Sequence, residues 1–135
     1  MYLSVYLRCR KGIYMIWLSK KRKTGQAHFT EKYIALNMVA RESLLDYQYC
    51  MVGVDNDKKI IAIKCLTNNE VSRGDIDKDS VYNISILRTC ARIVSKPLVK
   101  DINDATEINL IDYKLDTVWN EEDKTLELLL ETFKK

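Results

Sequence analysis

The sequence predicts an α+β fold, mostly antiparallel β with two short helices, and three observations carry that prediction. Two pairs of β-rich runs flank turns of Asp and Asn, over 49–66 and 113–131. Two short helical patterns follow capping residues, Asn37 and Ser95. The composition is 47% hydrophobic and 30% charged with four glycines and one proline, which excludes collagen-like, low-complexity and broadly disordered chains. At 135 residues the chain fits one domain, able to bury its core without metal or disulfide support.

Along the chain, residues 13–19 read as a strand, 20–26 as a polar turn carrying Thr24-Gly25, and 27–36 as a second extended stretch. Together they predict a hairpin. Asn37 then caps a short one-sided helix over 38–45. Tyr49–Val54 and Ile60–Leu66 form strands around Asp55-Asn-Asp-Lys-Lys59, where Asp and Asn bond their own backbone. Asp55 and Asp57 do not make a calcium loop, because the glycine and distant glutamate of that motif are missing. Residues 67–80 are almost wholly polar and predict an exposed loop. Val81–Ile86 alternates, with Tyr82, Ile84 and Ile86 on one face, and reads as one strand. Ser95 caps a helix with Pro97 in its first turn, running to about Ile102. Finally Tyr113–Trp119 and Thr125–Glu131 alternate as strands around a turn at 120–124.

Two apolar patches near the start, 1–7 and 13–18, are interrupted by charge and too short for a signal peptide or a membrane span. A start at Met15 would give an equally sensible chain, so residues 1–14 are expected either to be poorly ordered or to lie outside the natural protein. The four cysteines, Cys9, Cys50, Cys65 and Cys90, are far apart, with no Cys-x-x-Cys pair and a single histidine, His28. Buried reduced thiols and a cytoplasmic setting are expected.

The net charge of +3 conceals an asymmetry. Residues 1–66 carry twelve Lys/Arg against five Asp/Glu, a balance of +7, and residues 67–135 carry ten against fourteen, a balance of −4. Residues 1–23 hold Arg8, Arg10, Lys11, Lys20, Lys21, Arg22 and Lys23 and no acid. Such a run lays cations against phosphates and releases counterions, and Tyr14 and Trp17 beside it offer rings for base stacking. The competing reading is a solvated lysine-rich loop with its aromatics in the core.

The chain also reads as two similar β-α-β-β halves, 28–66 and 81–135, forming one barrel-like core in a single domain. Leu36–Arg41 corresponds to Val94–Val99, the turn 55–59 to 120–124, and Ile60–Leu66 to Thr125–Glu131. A repeat this long suggests two half-barrels, each unable to close a core alone. This order resembles the swapped-hairpin barrel of the AbrB, SpoVT and MraZ transcription factors, and the resemblance implies DNA binding and transcription regulation. Arg41 falls on a helix arginine of that pattern, and in the second half Arg92 precedes the strand and Lys100 takes a basic helix position. Asn37 replaces the family's proline, and Asp46 stands where a glycine usually follows.

Catalytic patterns are missing: no nucleophile elbow, no cysteine-protease pattern, and isolated glycines at 12, 25, 53 and 74 rather than a phosphate loop. The expectation is a non-enzymatic module without cofactor or metal that binds DNA or RNA. The alternative is a small phage or mobile-element accessory protein that binds a host protein, with no membrane role and with oligomer formation left open.

Overall fold

The computed structural model describes residues 5–8, 14–17, 24–74 and 76–133. Strands β1 (Val5–Arg8) and β2 (Tyr14–Trp17) form a two-stranded antiparallel sheet, with Val5 opposite Trp17 and Arg8 opposite Tyr14. The hairpin expected between 13–19 and 27–36 is therefore corrected: β2 returns on β1, and the stretch 27–36 folds back on itself.

That second stretch is β3 (Gln26–Phe29) and β4 (Tyr33–Leu36), paired antiparallel with Phe29 opposite Ile34. Their turn needs no glycine. Thr30 Oγ1 accepts from the N–H groups of Lys32 and Tyr33, at 3.3 and 3.0 Å, a side-chain substitute for a backbone turn. In both strands alternate residues, Ala27, Phe29, Ile34 and Leu36, are fully buried.

Seven further strands complete the larger sheet: β5 (Tyr49–Asp55), β6 (Ile60–Leu66), β7 (Tyr82–Asn83), β8 (Ser85–Ile86), β9 (Ala91–Val94), β10 (Lys114–Asn120) and β11 (Thr125–Leu129). The strand order is β7-β5-β6-β11-β10-β3-β4-β9-β8, every pairing antiparallel. β7 and β8 stand at opposite ends of that order but are separated by Ile84 alone, whose N–H donates to Gln48 O at 2.8 Å. The sheet consequently curls into a nearly closed barrel. The single strand expected over 81–86 is in fact two, because the backbone changes partner at Ile84.

The turns closing β5–β6 and β10–β11 use one device. Asp55 Oδ1 accepts from the N–H groups of Asp57 and Lys58, and Asn120 Oδ1 accepts from those of Glu122 and Asp123, all at 3.0–3.3 Å. Each turn ends on a left-handed lysine, Lys59 at φ 56° and Lys124 at φ 52°. This is why runs of Asp and Asn without glycine make tight hairpins here.

Three helices are present among the described residues rather than the two expected. α1 (Met38–Glu42) is capped by Asn37, whose Oδ1 accepts from Ala40 N–H at 3.1 Å. α2 (Asn68–Ser72) lies in the stretch expected as an exposed loop; Thr67 and Glu70 form a reciprocal capping box that stabilises it without a buried face. A single 3-10 turn, Lys78–Ser80, follows. α3 (Lys96–Thr106) outruns its expected end at Ile102 and stops at Glu107, held left-handed at φ 58°. Its spacing brings Leu98, Val99 and Ile102 to the barrel, where they are buried.

The core is one cluster filled from β3, β4, β5, β6, β9, β10 and β11 and from the helices α1 and α3, including Phe29, Ile34, Ile61, Ile63, Ile93, Leu115, Leu126 and Leu128. Each such side chain contributes about 1.5–3 kcal/mol on leaving water. No helix among the described residues is long and apolar enough to cross a membrane.

Candidate functional site

The basic segment enters the barrel at a well-anchored point. Asn37 Nδ2 donates to Thr24 O at 3.1 Å, Asn37 Oδ1 also accepts from Gln26 N–H at 3.1 Å, and Thr117 N–H donates to Gly25 O at 2.8 Å. One side chain thus caps α1 and fixes the start of β3. A Cβ on Gly25 would overlap Thr117 Oγ1 and crowd Ala40 Cβ at 3.3 Å, so glycine lets the chain pass between α1 and β10 without displacing Thr117. Of the basic residues singled out in sequence, Arg10, Lys11, Lys20, Lys21, Arg22 and Lys23 lie outside the described residues, and Arg8 closes β1.

The remaining candidates occupy separate settings. Arg41, on α1, donates from Nε to Leu87 O at 2.7 Å and meets Glu42 Oε1 from a terminal nitrogen at 3.2 Å. Its side chain is only 17% exposed, so its guanidinium ties α1 to the turn between β8 and β9. Arg92, on β9, lays its guanidinium 4.6 Å from the centre of the Tyr33 ring across β4, a cation–π contact. Its Nε is buried and meets no acceptor among the described residues.

Lys100 is exposed on α3, one turn beyond Lys96. Both line a surface hollow of about 420 Å³ with Glu31, Pro97, Val99 and Ile111. The β3–β4 turn forms the opposite wall, because Ser95 N–H donates to Lys32 O at 3.1 Å. Lys96 and Lys100 therefore stand at the start of α3 beside a mostly apolar floor, with Glu31 as the single acid lining it. Sequence reasoning missed Lys96; its signal was the Lys-x-x-x-Lys spacing directly after the Ser95 cap.

His28 lies on β3, half-buried, opposite Lys114 and Ala35. Asp55, considered as a calcium ligand, spends one carboxylate oxygen on its own turn. Among the described residues no group of three or more His, Cys, Asp or Glu side chains could hold a metal ion. At the β10–β11 turn, hydrogen bonds from Lys124 and Trp119 hold the Glu121 carboxyl below the ordinary carboxylate range, and the Glu121 bond raises Lys124.

Compared with known proteins, the chain matches no family model, no curated protein and no solved structure.

Proposed function

We propose that this chain is a non-enzymatic nucleic-acid-binding module of the transcription-regulatory kind, built as two similar β-α-β-β halves around one barrel. One observation carries the reading: seven Lys/Arg and no acid within residues 1–23, leading into a barrel that grips the segment's exit at Thr24 and Gly25. The cations supply sequence-independent affinity through counterion release. Lys96 and Lys100 extend the positive surface at α3, while Arg41 and Arg92 hold neighbouring elements in place.

The two-halves reading has support in the pairing pattern. Exchanging β3/β4/α1/β5/β6 for β8/β9/α3/β10/β11 maps β5–β6 onto β10–β11, β3–β4 onto β8–β9, and β6–β11 and β4–β9 onto themselves. The paired caps Asn37 and Ser95 and the paired turns at 55–59 and 120–124 fit the same exchange. It is also the arrangement the swapped-hairpin resemblance implies.

The test is binding to duplex DNA and to single-stranded RNA across a salt series. The logarithm of the binding constant is expected to fall with the logarithm of salt, and neutralising Lys20, Lys21, Arg22 and Lys23 to Gln is expected to flatten the slope by roughly 3–4 on duplex DNA. Absence of binding at low salt, or an unchanged slope in that variant, would overturn the reading. A second reading, a small phage or mobile-element accessory protein that meets a host protein, is favoured by exposed apolar side chains around Arg41. Met38, Val39 and Leu87 are 50%, 41% and 41% exposed.

A further inference from the structure

Three of the four cysteines fall among the described residues, all as free thiols, and two of them face each other. Cys50 on β5 stands directly opposite Cys65 on β6 in the strand register, and both side chains turn into the barrel, 0% and 2% exposed. The kind of pair they form follows from the hydrogen bonds. Cys65 N–H donates to Lys124 O at 2.9 Å, so its backbone groups point toward β11 and away from β5. Cys50 and Cys65 are therefore a non-hydrogen-bonded antiparallel pair, the kind whose Cα atoms stand about 4.5 Å apart with side chains closest. That spacing lies at the short end of the range a disulfide spans.

On its other side β5 is held by a short seam, no longer than the two-pair seam between β8 and β9. Only Tyr49 opposite Asn83 and Cys50 opposite Tyr82 join it to β7. A surface hollow of about 330 Å³ lies beside this seam, between β5, Tyr82 and α3. It is lined by Val52 and Val54, which share the face of β5 that carries Cys50. Separation of two residue pairs at β7 would join that hollow to Cys50.

We propose that Cys50 and Cys65 form a reversible intramolecular disulfide that staples β5 to β6 when the β5–β7 seam opens to a small-molecule disulfide such as oxidised glutathione. A thiolate of one cysteine attacks the glutathione disulfide, releasing one reduced glutathione and leaving a mixed disulfide. The second thiolate displaces the other glutathione, so two thiols lose two protons and two electrons and one glutathione disulfide becomes two thiols. Burial pushes both thiols up to about 12, and the neighbouring Cys65 raises Cys50 as well, so the closed barrel holds the pair as inert thiols.

The experiment oxidises the folded full-length chain with glutathione disulfide and reads the product by tryptic mass mapping under non-reducing conditions. The peptide of residues 42–58 is expected to become linked to that of 65–73, with loss of two hydrogens and no glutathione retained. The C9S/C90S variant is expected to behave identically, falling from two titratable thiols per chain to none while remaining monomeric on a non-reducing gel. Both thiols still titratable after oxidation, stable glutathione adducts, or links through Cys90 in the parent chain would each overturn the proposal.

Discussion

Removing the Asn37 side chain tests how the basic segment is tied to the barrel. Asn37 makes three hydrogen bonds: it caps Ala40 N–H, accepts from Gln26 N–H and donates to Thr24 O. In Asn37→Ala the lost cap costs about 1 kcal/mol. The stranded, part-buried Gln26 N–H adds about 1–3 kcal/mol. The expected loss is roughly 2–4 kcal/mol, a large part of the 5–15 kcal/mol that holds an ordinary domain folded. In thermal unfolding this reads as a drop in Tm of about 8–16 °C, at about 4 °C per kcal/mol for a chain of this size. Asn37→Asp keeps the acceptor oxygen for both N–H groups and loses only the bond to Thr24, so it should recover more than half of the loss. Urea unfolding of the three proteins decides the matter. An Asn37→Ala variant within about 0.5 kcal/mol of the parent, or an Asp variant no better than Ala, would refute the assigned roles.

Other perturbations have equally direct outcomes. Gly25→Ala should destabilise by about 1–3 kcal/mol through overlap with Thr117 Oγ1. Adding Thr117→Ser, which removes the methyl and lets the hydroxyl swing away, should recover part of that in a double-mutant cycle of urea unfolding. Arg41→Ala should cost about 1–2 kcal/mol by removing a charged donor from Leu87 O, and Lys should not replace it, lacking the Nε geometry. Alkylation of the native protein at pH 8 should modify Cys90 before Cys50 and Cys65. Thiols pushed from 9.0 to about 12 should react about a thousandfold more slowly at Cys50 and Cys65, and unfolding should remove the difference. The lowered Glu121 carboxyl contributes stability that is present above its ordinary pKa of 4.5 and is lost as pH falls through its folded value. Glu121→Gln should therefore flatten, slightly, the acid limb of the stability profile, and salt should weaken the effect because the pair is exposed.

The hairpins over 49–66 and 113–131 were legible because two signals agree there: period-2 burial in the strands and an Asx residue at the head of each turn. The turn between β3 and β4 was not, since Thr30 carries it with a hydroxyl and no Gly, Pro or Asn marks the place. The division at Ile84 was hidden for a different reason. Tyr82, Ile84 and Ile86 keep their alternation straight through the kink, and side-chain periodicity does not encode which backbone a strand pairs with. α2 has no apolar stripe to announce it; Thr67-Asn-Asn-Glu70 was its one signal. At the candidate site, charge density could be read from sequence, but partners could not. Arg41 looks like a free helix cation until Leu87, 46 residues away, is brought beneath it.

The seam between β3 and β10 joins residues far apart in the chain: Gln26 Nε2 donates to Asp116 Oδ1 across 90 positions. During synthesis at about 5–20 residues per second, β3 therefore waits roughly 5–20 s for β10, while β4 pairs sooner with β9. Phe29 stays open to other contacts through that interval, and α1, though already made, has only half a barrel to pack against. Maturation of this protein is consequently a race between translation of its second half and capture of its first, and slow codons between 67 and 113 would lengthen that race without altering a single residue.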